Sequence, residues 1–460
     1  MLNRVSAFLS HFLFEKENVM NVLFISLGCD KNLVDTEVML GLLASRGYQM
    51  IDDETQADVI VINTCCFIHD AKEESIQTIL EMAEYKKTGP LKALIVTGCL
   101  AQRYKDEIVK EIPEVDAVLG TTSYDKIVEA IDKALEGEVS IELTDIDALP
   151  RVETKRLVTT GGHFAYLKIA EGCDKHCTYC IIPKIRGNFR SVPMEQLLNE
   201  AQMLADQGVK ELILVAQETT LYGKDLYGEK SLHVLLKKLC RIGGIQWIRI
   251  LYCYPEEIDD NLIRVMKEEK KICHYLDLPI QHASNEILKR MGRRTSKEQL
   301  IEIIEKLREE IPDITLRTTL ITGFPGETKE QHEELMEFVY QMEFDRLGVF
   351  TYSPEEDTPA AEMPDQIPEE VKEDRQAEIM ELQQDIAFDL AEDMIGREVL
   401  VMIEGKVADE NAYVGRTYKD APNVDGLIFV NTEEELMSGD FAKVKVTGAL
   451  EYDLIGELIS

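Results

Sequence analysis

Three cysteines in one short segment carry the strongest chemical signal of the chain. Cys173, Cys177 and Cys180 are spaced Cys-x3-Cys-x2-Cys within the run GCDKHCTYC. Thiolates with this spacing can bind three irons of a 4Fe–4S cluster and leave the fourth iron open to a substrate or cofactor. The alternative is a zinc site, but His176 is too close to Cys177 to serve easily as a fourth ligand. The segment therefore predicts a cluster with one open iron.

A second set of cysteines shares one position in the predicted topology. Cys29, Cys65 and Cys99 each follow a predicted strand, at intervals of 36 and 34 residues. Because ligands bind outside the carboxyl ends of parallel strands, the three thiols should gather at one edge of the sheet. They predict a second three-thiolate cluster site, with the adjacent Cys66 pointing away as a non-ligand. The alternative is three buried structural cysteines.

Alternating strands and helices position this second set. Val22–Leu27, Val59–Asn63 and Ala93–Thr97 are nearly continuous apolar runs, which are typical of buried parallel strands. Each run is followed by a polar helical stretch, so residues 20–136 are predicted to form a doubly wound α/β domain. Residues 136–164 are interpreted as linker-like.

A second alternation surrounds the first set of cysteines and predicts a barrel. Six βα units at this spacing indicate a parallel, partial (βα)6 barrel over residues 160–390. The predicted strands are Ala165–Ile169, Glu211–Val215, Trp247–Leu251, Tyr275–Ile280, Thr315–Ile321 and Arg346–Thr351, with helices such as Met194–Asp206 and Ser296–Glu310 between them.

A charged helix that ends near Asp393 leads into a third segment, residues 391–460. Five short strands punctuated by glycines indicate a small five-stranded β-barrel of the oligomer-binding type. These strands are Glu398–Ile403, Ala412–Thr417, Leu427–Val430, Ala442–Thr447 and Leu454–Leu458. The fold class is therefore α/β with a C-terminal β-barrel.

Composition and charge limit the function classes. The chain has 460 residues, of which 45% are hydrophobic, and a formal net charge of −36. Since nucleic-acid binding proteins usually present a basic face, this charge favours a basic protein partner. No apolar run approaches the roughly 20 residues of a membrane span, and Ala7–Phe14 has no cleavage site, which argues against a signal peptide. Residues 1–19 are interpreted as a dispensable extension or a misplaced start, and ten cysteines without dense pairing favour a reducing cytoplasm.

Taken together, two three-cysteine sites and a terminal β-barrel resemble the radical S-adenosylmethionine (SAM) methylthiotransferase family, whose terminal domain is called TRAM. The resemblance covers nearly the whole chain from about residue 20. It implies two 4Fe–4S clusters, one held by Cys173, Cys177 and Cys180 and an auxiliary one held by Cys29, Cys65 and Cys99. In that family the open iron of the first cluster chelates SAM, which is cleaved to a 5′-deoxyadenosyl radical, and the auxiliary cluster carries the sulfur to be transferred.

Within the family, several stretches are similar to the branch that modifies an aspartate of a small-subunit ribosomal protein (number twelve). They are SLGCDKNLVDTEVML at 26–40, NTCCFIHDAKEES at 63–75, GCDKHCTYCIIPKIRG at 172–187, AQETTLYG at 216–223, DLPIQHASNEILKRMGR at 277–293, RTTLITGFPGET at 317–328 and YVGRTYKDAPNVDG at 413–426. Two departures are Cys66, where that branch usually has glycine, and Glu218, where aspartate is expected. Independently, residues 391–460 carry 15 acidic and 6 basic residues, a balance that suits a basic ribosomal protein.

This resemblance implies that a methylthio group is placed on the β-carbon of the aspartate. Contacts to SAM are expected at strand ends on the carboxyl face of the barrel. The candidates are Tyr179 near the adenine, Gln217 and Glu218 for the ammonium group, Gln281 and His282, Gly323 for close backbone approach, and Arg186 for a carboxylate. Each has a structural alternative: Glu218 as a helix-entry residue, His282 as a satisfied core or capping histidine, and Arg186 as part of a surface ion pair.

Other functions compatible with these residues remain open. The first is the transfer-RNA adenosine branch of the family. The second is a non-catalytic iron–sulfur or zinc protein that binds a partner, and the third is a radical SAM enzyme whose auxiliary cluster only passes electrons. The expected partners are a basic ribosomal protein, a reductase or a flavodoxin- or ferredoxin-type electron donor, and a sulfur donor. No membrane partner is expected, and transfer RNA is a weaker expectation.

Overall fold

The structure, a computed structural model, describes residues 20–150 and 156–459. The interpretation of residues 1–19 as a dispensable extension falls outside the described residues. No helix within the described ranges is both long enough and apolar enough to cross a membrane.

The N-terminal domain is a six-stranded, wholly parallel sheet. Its strands are β1 (Asn21–Ser26), β2 (Gln49–Ile51), β3 (Val59–Thr64), β4 (Ala93–Gly98), β5 (Ala117–Leu119) and β6 (Ser140–Glu142). They are hydrogen-bonded in the order β2-β1-β3-β4-β5-β6. The helices are α1 (Asp30–Ser45), α2 (His69–Ala83), α3 (Tyr85–Thr88), α4 (Cys99–Glu111) and α5 (Ile127–Leu135).

Both faces of this sheet are buried, as a doubly wound fold requires. Alternate residues of β3 point to opposite sides: Val59 and Val61 pack with α1 and α5, whereas Ile60 and Ile62 pack with α2 and α4. The apolar runs predicted as strands are confirmed as β1, β3 and β4. Three further strands have three residues each, too short to show a periodic pattern, and one of them, β6, lies in the stretch interpreted as linker-like.

The central domain is a six-stranded parallel sheet that curves into an open barrel. Its strands are β7 (Phe164–Lys168), β10 (Glu211–Val215), β11 (Trp247–Ile250), β12 (Ile272–Asp277), β13 (Thr315–Thr322) and β14 (Arg346–Thr351), and a small antiparallel pair is formed by β8 (Ala170–Glu171) and β9 (Arg190–Ser191). The order is β7-β10-β11-β12-β13-β14, with β7 and β14 at the two edges. This confirms the predicted partial (βα)6 barrel. The fourth strand, predicted at 275–280, begins and ends three residues earlier.

The helices of the central domain alternate with these strands. They are α6 (Ile182–Arg186), α7 (Met194–Asp206), α8 (Lys224–Tyr227), α9 (Leu232–Leu239), α10 (Asp260–Glu268), α11 (Asn285–Arg290), α12 (Lys297–Glu310) and α13 (Lys329–Met342). Two begin with a reciprocal capping box, in which Ser296 and Thr328 accept from the backbone three residues ahead. These caps explain why α12 and α13 begin where they do.

A long helix and a closed barrel complete the chain. They are α14 (Glu369–Glu392) and β15 (Glu398–Lys406), β16 (Ala412–Arg416), β17 (Ile428–Asn431), β18 (Phe441–Leu450) and β19 (Asp453–Leu458). The barrel closes in the order β15-β16-β17-β19-β18. Closure leaves no free strand edge, and the five-stranded barrel is confirmed.

The interior of the open barrel is filled from both ends by the other two domains. Val34 of α1 enters at one end, and Met402 and Ala421 of the terminal barrel enter at the other. At that second end Glu211, fully buried, accepts from Arg249 and from Arg416, each at 2.8 Å. Burial alone would raise the pKa of Glu211, but the two guanidinium groups lower it. The carboxylate therefore stays charged and links β10 to β16.

Removing one partner of this buried network should weaken the docking of the terminal barrel. We expect Arg416→Met to lower the free energy of unfolding by about 3 kcal/mol, since it leaves the buried carboxylate of Glu211 with only one of its two cationic partners. The single tryptophan, Trp247, packs edge-on against Phe441 of the terminal barrel at 4.8 Å, so its fluorescence during urea unfolding reports on this interface.

The matched control is Lys110→Met, which removes an ion pair whose side chains are 80% and 67% exposed. It should change the same free energy by less than about 0.5 kcal/mol. Equal effects of the two substitutions would contradict a stabilising role for the buried network.

Candidate active site between two cysteine triads

The auxiliary triad is Cys29, Cys65 and Cys99, and it lies at the carboxyl edge of the N-terminal sheet. Cys29 is the N-cap of α1, Cys65 follows β3, and Cys99 begins α4 directly after β4. The backbone approaches closely here: a Cβ added to Gly28, which has φ 88°, would lie 3.1 Å from the Cys65 sulfur. The three thiols therefore share one corner of the fold.

Of the two adjacent cysteines, Cys65 is the one that faces this corner. Its backbone N–H donates to Ser75 at 3.0 Å, and the Ser75 hydroxyl donates back to its carbonyl at 2.8 Å. Cys66 is fully buried within the apolar cluster beneath the sheet and lies beside Arg103. Cys66 is also close to Cys99, so the choice of Cys65 and not Cys66 as the ligand stays a prediction.

Burial favours the protonated form of the Cys65 and Cys99 thiols. Burial and, to a smaller extent, the nearby thiolates of Cys99 and Cys29 raise the pKa of Cys65 to about 12. The pKa of Cys99 is also raised by burial, although Arg186 opposes the shift. A group of thiols that repel one another as thiolates is suited to bind a cationic centre, which releases the protons.

The second triad is Cys173, Cys177 and Cys180, in the loop between β8 and α6. The loop is pinned by backbone hydrogen bonds from Cys173 to Gly187, from Cys180 to Cys177 and from Thr178 to Met291, at 2.9–3.2 Å. Burial raises the pKa of Cys173 to about 11. The loop therefore holds three thiols in fixed positions at the carboxyl face of the open barrel.

The donor chemistry of each triad fits an iron–sulfur cluster. Three thiolates can bind three irons, one thiolate to each iron, and leave the fourth iron open. A structural zinc ion instead needs four ligands around one atom.

Arg293 is a residue that the sequence analysis did not single out, and it stands beside Cys177. Its guanidinium lies 4.3 Å from the ring centre of Tyr254, whose hydroxyl is 4.0 Å from the Cys177 sulfur. One nitrogen of Arg293 donates to the Pro279 carbonyl at 2.8 Å, but Nε and Nη1 are buried without a partner. The sequence feature that could have pointed to Arg293 was its position at the end of the similar stretch 277–293.

Tyr179 and Gln217, two of the residues predicted to contact SAM, differ from each other in their surroundings. Tyr179 packs against the cluster that includes Met291 and Phe324. Gln217 is engaged: it donates to Glu171 at 2.7 Å and accepts from the backbone of Gly172 at 2.9 Å. It therefore braces the loop of the second triad.

Glu218 is buried and only partly satisfied. Burial raises its pKa to about 7, and one of its carboxylate oxygens has no hydrogen-bond partner. The ammonium of Lys175 lies 3.9 Å away but is closer to Glu257, at 2.6 Å. Glu218 therefore retains an acceptor directed into the site.

The remaining predicted contacts follow β12 and β13. Gln281 has the left-handed φ of 72° and bridges to Leu320 of β13. His282 is fully buried, accepts from the Ser284 N–H at 2.9 Å, and has its pKa lowered to about 3 by burial. A Cβ on Gly323 would lie 2.2 Å from Cγ of Lys372, so this glycine permits α14 to pack closely.

Arg186, predicted as a ligand for a carboxylate, is placed at the domain interface instead. Its guanidinium donates to Asp35 at 2.9 Å, to Glu171 at 3.3 Å and to Asn32. Lys168 joins the same two carboxylates. With its donors paired inside the protein, Arg186 connects α1 to the loop of the second triad.

Both triads border this interface. Tyr252, which follows β11 with a left-handed φ of 61°, donates its hydroxyl to Asp30 at 3.1 Å. The ammonium of Lys31 lies 3.3 Å from the centre of the same ring. The region between the carboxyl edges of the two sheets, called the cleft below, therefore has the segment of Cys29 on one side and the Cys177–Tyr254 contact on the other.

Comparisons with known proteins agree with this arrangement. Residues 21–120 match the uncharacterized protein family UPF0004, residues 167–339 the Radical SAM superfamily, and residues 395–459 the TRAM domain. The chain is similar in fold to the radical S-adenosylmethionine methyltransferase TsrM from Kitasatospora setae (TM-score 0.52, 13% identity, 74% of this chain and 77% of that one). It is also similar to the cobalamin-dependent radical enzyme OxsB (TM-score 0.51, 14% identity, 79% and 56%).

Among curated relatives, ribosomal protein uS12 methylthiotransferases RimO match nearly the full length. That of Lachnoclostridium phytofermentans is 69% identical over 95% of this chain and 99% of its own, and that of Clostridioides difficile is 50% identical over 94% and 98%. The domain layout and the two triads define the class, a radical SAM methylthiotransferase. Within that class the chain belongs to the RimO family.

The choice between the adjacent cysteines can be tested by iron content. After anaerobic reconstitution we expect about eight irons per chain, four for each 4Fe–4S cluster. Cys65→Ala should retain about four, because the auxiliary cluster loses a ligand, whereas Cys66→Ala should retain about eight. The reverse pattern would show that Cys66 is the ligand.

Proposed function

We propose that this protein transfers a methylthio group to the β-carbon of an aspartate in ribosomal protein uS12. The observation that carries the proposal is the pair of three-thiol sites that border the same domain interface. Sulfur insertion at an unactivated carbon needs both a radical source and a sulfur carrier within reach of the same atom, which acid–base side chains cannot supply. The names of the full-length relatives support uS12 as the substrate.

In this proposal Cys173, Cys177 and Cys180 hold one 4Fe–4S cluster, and Cys29, Cys65 and Cys99 hold the second. When bound, the two clusters and SAM supply the electron, the radical and the methylthio sulfur. The chain fixes their relative position through the hydrogen bonds of Asn32 and Asp35 to Arg186. Tyr252 and Tyr254 occupy the barrel side of the cleft and exclude water from it.

Groups left without partners suggest how SAM is held. The unpaired oxygen of Glu218 is suited to the ammonium of SAM, and the two unpaired donors of Arg293 to its carboxylate. Tyr179 is proposed beside the adenine, with Gln281, His282 and Gly323 shaping the same face. Because Arg186 is already paired within the protein, Arg293 is the better candidate for the carboxylate.

Electrostatics favours a basic protein over transfer RNA as the substrate. The chain carries 86 acidic and 50 basic residues, and ribosomal proteins are basic. The proposed partners also include a flavodoxin- or ferredoxin-type electron donor and a sulfur donor, in the cytoplasm where ribosomes work. The domain boundaries proposed for these functions are 20–136, 160–390 and 391–460.

Anaerobic turnover followed by intact mass tests the reaction. Reconstituted protein with SAM, a reductant and a sulfur source should add to uS12 the mass of a methylthio group in place of one hydrogen. Cys29→Ala should abolish this product but keep reductive cleavage of SAM, because the second triad is untouched.

Transfer RNA in a parallel reaction separates the two branches of the family. The same mass gain on the RNA alone would overturn uS12 as the substrate. Cleavage of SAM with no product on either would favour other radical chemistry, and no cleavage by fully loaded protein would favour a non-catalytic role.

Arg293→Met should weaken SAM binding by roughly tenfold to a hundredfold, the range for losing a charge-assisted hydrogen bond. Equilibrium dialysis of cluster-loaded protein with SAM measures this directly. The control is Arg294→Met, since the adjacent arginine is exposed. Unchanged affinity in Arg293→Met, with iron content intact, would remove Arg293 from the SAM site.

A further inference from the structure

Lys31 is a buried lysine for which the described residues provide no paired anion. It is only 6% exposed, and its ammonium rests against the ring of Tyr252 at 3.3 Å. Within the described residues it forms no ion pair, and the nearby carboxylate of Asp30 instead accepts the Tyr252 hydroxyl. A cation–π contact compensates only part of the cost of taking an ammonium out of water. The site is thus incomplete without an anion.

The other buried cations near the two triads differ from Lys31. Arg186 and Lys168 share Asp35 and Glu171 at the domain interface. Arg293 also lacks a paired carboxylate, but it lies against Tyr254 and Cys177 of the second triad, where it is proposed to bind SAM. Lys31, in the part of the chain that the structure describes, combines burial, the absence of a paired carboxylate and a position two residues from Cys29 of the auxiliary triad.

We propose that Lys31 binds the side-chain carboxylate of the aspartate that is modified. This inference rests on the proposed function and names the residue that recognises its substrate. In aspartate the β-carbon, which reacts, is bonded directly to the carboxylate carbon. An ammonium that holds the carboxylate therefore also fixes the position of the β-carbon. Since Lys31 lies in the first turn of α1, two residues after the N-cap Cys29, that point is near the proposed sulfur carrier.

Tyr252 restricts where Lys31 can reach. The backbone of Tyr252 is held by hydrogen bonds to Thr219 and Asp277 at 3.0–3.1 Å, in a left-handed conformation that is costly for a tyrosine. This conformation directs the ring to Asp30 and Lys31. Because the rigid ring covers one side of the Lys31 ammonium, the N–H donors on its other side remain available to a ligand that enters the cleft.

The test compares uS12 with a variant of it whose target aspartate is replaced by asparagine, which keeps the shape and removes the charge. Binding to cluster-loaded protein is measured by fluorescence anisotropy of labelled uS12. Wild-type protein should bind the aspartate form about tenfold or more tighter than the asparagine form. Lys31→Met should bind both forms equally, and Lys31→Arg should restore part of the preference.

Two further readouts separate recognition from folding. Lys31→Met should keep its iron content and still cleave SAM, but form less methylthio product per deoxyadenosine released, because the β-carbon is no longer aligned. The control Lys110→Met, at an exposed lysine of the same domain, should match wild type in every measurement.

The outcomes distinguish this inference from the proposed function. If wild-type protein modifies uS12 and Lys31→Met still prefers the aspartate form as strongly, the inference is wrong and the function stands. Equal weakening of both forms, with the preference retained, would likewise assign Lys31 a structural role. If wild-type protein does not modify uS12, both proposals fall together.

Discussion

The relative position of the two cysteine triads depends on one buried ionic network. Asp35 of α1 and Glu171 at the end of β8 share the cations Arg186 and Lys168. Asp35 is costly to bury alone, and it is compensated only when the two domains dock in register, because both of its cations belong to the central domain. Such a network is a weak source of stability but a strong determinant of orientation. Orientation is what chemistry between two separately held cofactors requires.

That dependence explains which parts of the site the sequence could predict. The six cysteines follow from local spacing and from the position of apolar strands, and the structure places all of them at carboxyl sheet edges. Arg186 illustrates what sequence could not give. Its partner Asp35 lies 151 residues away in another domain, and no local pattern records that pairing. No local pattern identifies Lys31 or Arg293 either, because what distinguishes them is that no carboxylate among the described residues pairs with them.

Helices and strands could be predicted from the sequence where burial imposes a clear pattern on the apolar residues. Long apolar strands such as β3 and β4 are buried on both faces and stand out. Strands of three residues carry too few positions to show a period, so β2, β5 and β6 were missed. The boundary of β12 shifted because the segment after it, up to Gln281, is also buried and apolar while its backbone leaves the sheet.

The uncommitted groups in the cleft make one physical pattern. Lys31 and Arg293 are buried cations without a protein anion, and Glu218 is a buried carboxylate with an unpaired oxygen. A protein selected for stability alone would have paired or replaced them. The free-energy cost of burying these unpaired charges is offset if a bound ligand supplies the missing partner of each. Ligand binding then also stabilises the interface between the two domains. Buried arginines elsewhere, such as Arg249 and Arg346 near the terminal barrel, also have an atom without a hydrogen bond, but each of them is paired with a carboxylate. Arg293 has no ion pair in the described part of the chain, which is why a ligand carboxylate is the expected partner.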